Sequence, residues 1–405
     1  MYLVELFSFV PEKTVWIGVS SNNKSEVVKL AKQYGVDFDM RDVGEVIADF
    51  WARGIQTFPQ IILPMLTKQP DGSMKSLISI RGAELIPLGG IADQITVMCN
   101  QSGRFVTYRT DEHGFRNPKG MWSSDRVEIA AVGNSFAQGY CVPFDKDFVA
   151  LIRKRHPATL NLSMTGDGPL LMLATLEEYL PRFRPKTVLW FYAESNHLFD
   201  LQTEKKSRLL MRYLEFNFKQ GLLSRQKETD QALVDYVHKK SAQKTTEKPR
   251  HQNRFADLLQ TVKLGALRQK FGLVHGHDTQ EAAVVADLRG PITNLFGDIL
   301  SQAKNRVRTW GGRLYFIYLP AWERYANHNL GLASKERAKI LTLVSTLGIP
   351  IIDINGAFQA QSDPLSLFPF RRFGHYNEQG HRVVAKEVLK VIGSGELDDQ
   401  RSATN

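Results

Sequence analysis

At 405 residues the chain is long enough for one large domain with additions or for two domains. Its 43% hydrophobic and 23% charged residues are those of a globular protein and exclude disordered, fibrous and collagen-like classes. The net charge of +10 is concentrated in one place: between Glu204 and Lys270 sixteen Lys and Arg stand against seven Asp and Glu, and the remainder is nearly neutral. The two cysteines, Cys99 and Cys141, form neither a CxxC nor a Cys/His ladder, which excludes a disulfide-stapled scaffold and a zinc ribbon. They read as two buried free thiols, with a single disulfide as the alternative.

In chain order, the opening "MYLVELFSFVPEKT" has no basic n-region, carries Glu5 inside its apolar run and shows no small-residue cleavage site, so it does not read as a signal peptide. No later window approaches the roughly 18 to 20 apolar residues that span a bilayer. The chain as written is therefore expected to be cytoplasmic. Residues 1–105 carry helical periodicity at Ser25 to Tyr34 and Asp42 to Arg53, with short strands, and read as an extension without a motif that can be attached to chemistry.

After the turn-rich "YRTDEHGFRNPKG" at Tyr108 to Gly120, β-branched and aromatic runs alternate with amphipathic stretches, the signature of βαβ units and a parallel sheet. Strands are predicted at Val127 to Gly133, Ala158 to Met164, Thr187 to Ala193, Arg313 to Pro320 and Ile349 to Ile354. Helices are predicted at Lys146 to Arg155, Leu170 to Tyr179, Ile292 to Val307, Lys335 to Leu347 and Glu378 to Val391, followed by a polar tail at 394–405. The fold class is thus α/β, a doubly wound, flavodoxin-like parallel sheet of about five strands. A basic, mostly helical insertion at about 200–290 interrupts it.

In such sheets ligands sit at the carboxyl ends of the strands, near the switch in strand order. The first predicted strand ends in Gly133-Asn134-Ser135, the second runs into "MTGDGP" at Met164 to Pro169, and the third ends in "YAESNH" at Tyr192 to His197. Downstream, "GHYNEQGH" places His375 just before the last helix. A serine hydroxyl becomes a nucleophile when a histidine takes its proton, and acyl transfer needs donors aimed at the developing oxyanion. The backbone N–H groups of Ser135 and Gly166 and the side-chain amide of Asn196 are of the right kind. The competing readings are structural: Ser135 and Thr165 as helix caps, Gly166 and Asn196 as turn residues, and His375 and His381 as surface histidines.

In these four stretches the chain resembles the SGNH (GDSL-like) hydrolases, named for a Ser, a Gly, an Asn and a His in four blocks. "GNSFAQG" is similar to the first, "SMTGDG" to the second, "ESNHLFDL" to the third and "HYNEQGH" to the last, over roughly residues 106 to 393. The resemblance implies Ser135 as nucleophile, Ser135, Gly166 and Asn196 as the oxyanion hole, and His375 as base. The upstream "DEHGFRNPKG" resembles the branch found with bacterial exopolysaccharide and cell-envelope systems, which implies an envelope location instead. Three acidic positions of the family differ: Asn134, His197 and Arg372 stand where it has Asp. Without the last of these, His375 needs another partner on Nδ1, for which Asp363 is the first candidate, a backbone carbonyl the second and Asp353 a weaker third.

The resemblance implies an ester hydrolase working through an acyl-Ser135 intermediate, acting on small esters or O-acetyl groups of a glycan, with no metal or organic cofactor. The alternatives are a polysaccharide O-acetyltransferase using the same site and a catalytically inactive glycan-binding or assembly protein. The basic insertion is a solvated face or an attractor for an acidic polysaccharide or an anionic membrane surface, with nucleic acid the weakest option. "HGHD" at His275 to Asp278 carries metal-friendly residue types but reads as an unliganded loop.

Overall fold

The computed structural model of the chain describes residues 24–123, 127–246, 290–326, 331–372 and 374–402. Helices Lys24–Gln33 and Val43–Ala52 come first, the second opened by an Asp42/Glu45 capping box. A three-stranded sheet follows, in which β1 (Thr57–Pro59) pairs parallel with β6 (Ile95–Cys99) and β6 pairs antiparallel with β7 (Val106–Arg109). Between them lie two small hairpins, β2 (Leu66–Lys68) with β3 (Met74–Ser76) and β4 (Ser79–Ile80) with β5 (Ala83–Glu84).

The main sheet is parallel throughout. It contains β8 (Ile129–Val132), β9 (Thr159–Asn161), β10 (Thr187–Ala193), β11 (Arg313–Leu319) and β12 (Ile351–Asp353), ordered β12-β11-β10-β8-β9. Parallel neighbours require crossovers, which helices Phe148–Arg153, Pro169–Tyr179, Pro291–Thr309 and Gly331–Thr346 supply. The chain steps from β8 outward to β9 and then back across β8 to β10. The strand order therefore reverses at β8 and β10, and the crevice for a ligand opens at their carboxyl ends.

Side-chain alternation explains how one sheet carries two cores. Val188, Trp190 and Tyr192 of β10, with Leu314, Phe316 and Tyr318 of β11, face one cluster; Leu189, Phe191 and Ala193, with Tyr315, Ile317 and Leu319, face the other. The aromatic residues of these strands are core, as their sequence predicts. The second face is covered by Phe148–Arg153, Asn355–Gln359 and the last helix, Glu378–Ser402. The first face packs under Pro169–Tyr179 and Pro291–Thr309, and its core runs without interruption into Phe58, Leu63, Ile86 and Leu88 of the N-terminal region. That extension shares the core of the main sheet, because its short strands have too little apolar surface to bury on their own.

Three expectations need correction. The last helix runs to Ser402, past its predicted end at Val391 and into the polar stretch at 394–405. His381 is fully buried, accepting a hydrogen bond from the Phe148 N–H on Nδ1 at 3.1 Å, instead of lying on the helix surface. Cys99 and Cys141 are bonded to one another, with Cα atoms 5.3 Å apart, instead of being free thiols. Of the basic insertion, helix Gln226–Thr246 packs on the N-terminal region, where Asp230 accepts from the Ala92 N–H at 2.9 Å. Residues 247–289 of the insertion, with the 275–278 stretch, lie outside the described residues. Among the described residues no helix is long and apolar enough to cross a membrane.

Candidate active site

Val132 ends β8, and the chain turns at once into a one-turn helix, Ser135–Gln138. The cap of that helix is Asn134, whose Oδ1 accepts from the Phe136 N–H at 3.1 Å. Ser135 therefore occupies the first helical position: its hydroxyl is not consumed in capping, and its own N–H is one that a helix leaves without an internal acceptor. The Ser135 hydroxyl donates to His375 Nε2 at 2.8 Å. A serine hydroxyl and an imidazole 240 residues apart in the chain are thus brought within hydrogen-bond distance of one another.

His375 is held from below and behind. Tyr376 donates from its hydroxyl to the Pro320 carbonyl at 2.6 Å, tying this segment to the carboxyl end of β11. Asn377 Oδ1 accepts from the Gln379 and Gly380 N–H groups and so caps the last helix, while its amide donates to the Ser366 carbonyl. The rings of Tyr140 and Phe136 stand 4.7 and 4.8 Å from the imidazole. These walls leave His375 2% exposed and Ser135 fully buried, and burial pushes the histidine down to about 3. The imidazole is neutral at physiological pH, the state a base requires.

Gly166 sits in the turn after β9 with φ +90°, which only glycine adopts without strain. A Cβ there would lie 1.6 Å from the Leu63 carbonyl oxygen, so the N-terminal region presses directly on this turn. The turn is bound to helix Ser135–Gln138: Gln138 Oε1 accepts from the Thr165 N–H at 2.9 Å and from its hydroxyl at 2.6 Å, and the Met164 N–H donates to the Gly133 carbonyl at 3.2 Å. Thr165 caps nothing. Asn196 follows β10, the strand paired with β8 in the register Trp190 to Val132. It precedes helix His197–Glu204 without capping it by its side chain, and its Oδ1 accepts from the Ser195 hydroxyl. Ser135, Gly166 and Asn196 thus come from the turns after three adjacent strands, β8, β9 and β10.

Asp363 does not serve His375. Its carboxylate is paired with Arg371. Asp353 is likewise paired elsewhere, with Arg337. The side chain at Nδ1 is Gln101, with Nε2 at 3.2 Å and Oε1 at 3.3 Å, from the loop after β6. Nothing in the sequence marks this glutamine, because it comes from a region without a recognisable motif and is 274 residues from its partner.

The sequence also gave no role to Arg116 in "DEHGFRNPKG". Its guanidinium is buried and donates to the carbonyls of Gln138, Gly139 and Val142 at 2.9, 2.6 and 2.5 Å, and it faces Asp147 at 3.5 Å. Asp111 of the same stretch accepts from the Trp122 indole, the Asn117 amide and two backbone N–H groups, and burial pushes it up to about 6. The segment is thus a brace for the turn that follows Ser135. A buried histidine in this motif would have been ambiguous, whereas a buried arginine needs carbonyl or carboxylate partners and finds both.

No family model matches the chain, and no curated protein matches it. Among solved structures it is similar to a member of the lipolytic protein G-D-S-L family from Veillonella parvula DSM 2008 (14% identity, 65% of this chain and 97% of that one, TM-score 0.35). It is similar also to an acetyl xylan esterase (11%, 66% and 100%, TM-score 0.35) and to the lipase/acylhydrolase from Enterococcus faecalis (11%, 65% and 95%, TM-score 0.34). At these identities and scores the likenesses are too remote to assign a reaction.

Proposed function

We propose that the chain is a serine hydrolase of ester bonds, with Ser135 as nucleophile, His375 as base and the N–H groups of Ser135 and Gly166 with the Asn196 amide as the oxyanion hole. The observation that carries this reading is the 2.8 Å contact between the Ser135 hydroxyl and His375 Nε2 at the switch point of the sheet. In the reaction the Ser135 oxygen attacks the ester carbonyl as its proton passes to Nε2. The oxyanion so formed is stabilised by hydrogen bonds from the N–H donors. Collapse expels the alcohol, which takes the proton from Nε2, and water then releases the acid from Ser135 by the same steps in reverse.

The substrate class we favour is an O-acetylated carbohydrate, on the resemblance of the four motif blocks and of "DEHGFRNPKG" to the envelope-associated branch. The loss of family carboxylates at Asn134, His197 and Arg372 does not by itself argue for an inactive binding protein: Asn134 still caps the nucleophile helix, and His197 is a buried residue accepting from the Ala193 N–H at 3.3 Å. The test is turnover of p-nitrophenyl acetate by the intact chain and by S135A, with mass spectrometry for an acyl adduct on Ser135. Turnover and adduct are expected in the wild type and neither in S135A; a folded wild type lacking both refutes the reading.

A further inference from the structure

We propose that Gln101 is the positioning residue of the Ser135–His375 pair, so that the N-terminal region completes the site with a neutral amide where a carboxylate would otherwise orient the histidine. The proposal rests on the reading of that pair as nucleophile and base.

For His375 to act as base, Nδ1 must carry the proton and Nε2 the lone pair that faces Ser135. The Gln101 amide lies across Nδ1 with both of its ends in reach. Its two orientations have opposite effects. With Oε1 toward the ring, Nδ1–H is held and Nε2 accepts the serine proton. With the amide nitrogen toward the ring, Nδ1 must accept, the proton moves to Nε2, and the base is lost. The main chain selects between them: the His375 backbone N–H, which can only donate, points at Oε1 at 3.4 Å. With Oε1 toward the ring, one oxygen accepts from both N–H groups of His375, and that is the orientation the productive tautomer requires.

The loop that carries Gln101 is built to keep it there. The Gly103 N–H donates to Asn100 Oδ1 at 2.8 Å, the Asn100 amide donates to the Asp39 carbonyl at 3.0 Å, and the Asp39 N–H returns to the Gly103 carbonyl at 2.8 Å. Cys99, two residues before Gln101, is bonded to Cys141, six residues after Ser135. Gly374, beside His375, has a φ of +134°, and a Cβ there would stand at ordinary contact distance from the Gln101 amide. The carboxylates that could compete, Asp363 and Asp353, are held by arginines. An amide adds no charge, which agrees with a histidine kept neutral by burial alone.

The test compares the wild type, Q101A and the near-isosteric Q101E in the intact chain, by p-nitrophenyl acetate kinetics across pH and by long-range 1H–15N NMR of the His375 imidazole. In the wild type His375 is expected as the Nδ1–H tautomer. Q101A is expected to lose that preference and to lower kcat on the order of 10- to 100-fold with KM little changed. Q101E is expected to restore kcat and, because its negative charge stabilises the imidazolium, to move the acid limb of kcat/KM to higher pH by about one unit or more. A Q101A protein with the same His375 tautomer as the wild type overturns the proposal, as does a Q101E protein whose pH profile is unchanged. Absence of any Ser135-dependent turnover sinks the hydrolase reading alone; the tautomer comparison still decides the role of Gln101.

Discussion

Breaking the Cys99–Cys141 bond should cost the fold about 4 kcal/mol. The two cysteines are 42 residues apart, and the loop they close contains β7, the Arg116 brace, β8 and Ser135. Restricting a loop of that length in the unfolded chain lowers its entropy by about 13 cal/mol/K in the chain-entropy treatment, or roughly 4 kcal/mol at 25 °C. With about 2.1 cal/mol/K of unfolding entropy per residue, a cooperative transition of the whole chain would shift by about 5 °C. Both sulfur-bearing residues are buried, so the double variant C99A/C141A adds small cavities and sets this shift as a lower bound. The measurement is thermal unfolding followed by circular dichroism, for the oxidised chain, the chain reduced under denaturing conditions and refolded with reductant, and the double variant. A free-thiol titration establishes how much of the bond is broken. If fully reduced protein melts within about 1 °C of the oxidised form, the loop-closure reasoning is wrong for this chain.

Arg116→Met should destabilise by about 3–5 kcal/mol in urea titration, because it strands the buried Asp147 carboxylate and three carbonyls at the nucleophile turn; a loss below about 1 kcal/mol would mean that the brace carries no weight. Gly166→Ala forces a Cβ to within 1.6 Å of the Leu63 oxygen at a positive φ, which together should cost about 3–5 kcal/mol or displace the turn, and esterase activity should vanish with it. His197 is pushed down to about 3 by burial, against about 6.5 in the unfolded chain. Below pH 6.5 the unfolded state therefore binds a proton that the native state refuses, and stability falls as pH falls, by up to about 1.4 kcal/mol per unit for this group until pH 3 is reached. His197→Phe should flatten the stability–pH curve in that window, and an unchanged slope would show that His197 titrates alike in both states.

The sequence by itself determined the layered α/β architecture and the places where the chain turns. Runs such as "TVLWFYA" and "RLYFIYL" are buried on both faces and can only be central parallel strands, and the predicted strand at Thr187 to Ala193 coincides with β10 at both ends. It also located Ser135, Gly166 and Asn196, because each follows a strand within a few residues, and local order along the chain fixes which strand end a turn residue occupies. His375 was singled out by its block, and the fold brings it against Ser135.

Contacts that join distant segments were decided only by tertiary structure. Asp363 is twelve residues from His375 and Gln101 is 274 residues away, yet the near carboxylate turns to Arg371 and the distant amide reaches the ring. The pairing of Cys99 with Cys141, the burial of His381 and the shared core of the N-terminal region belong to the same group. The physical reason is common to all of them: periodicity and turn chemistry act over a few residues, whereas the partner of a buried polar group is set by whichever segment the packing of the whole chain brings within about 3 Å.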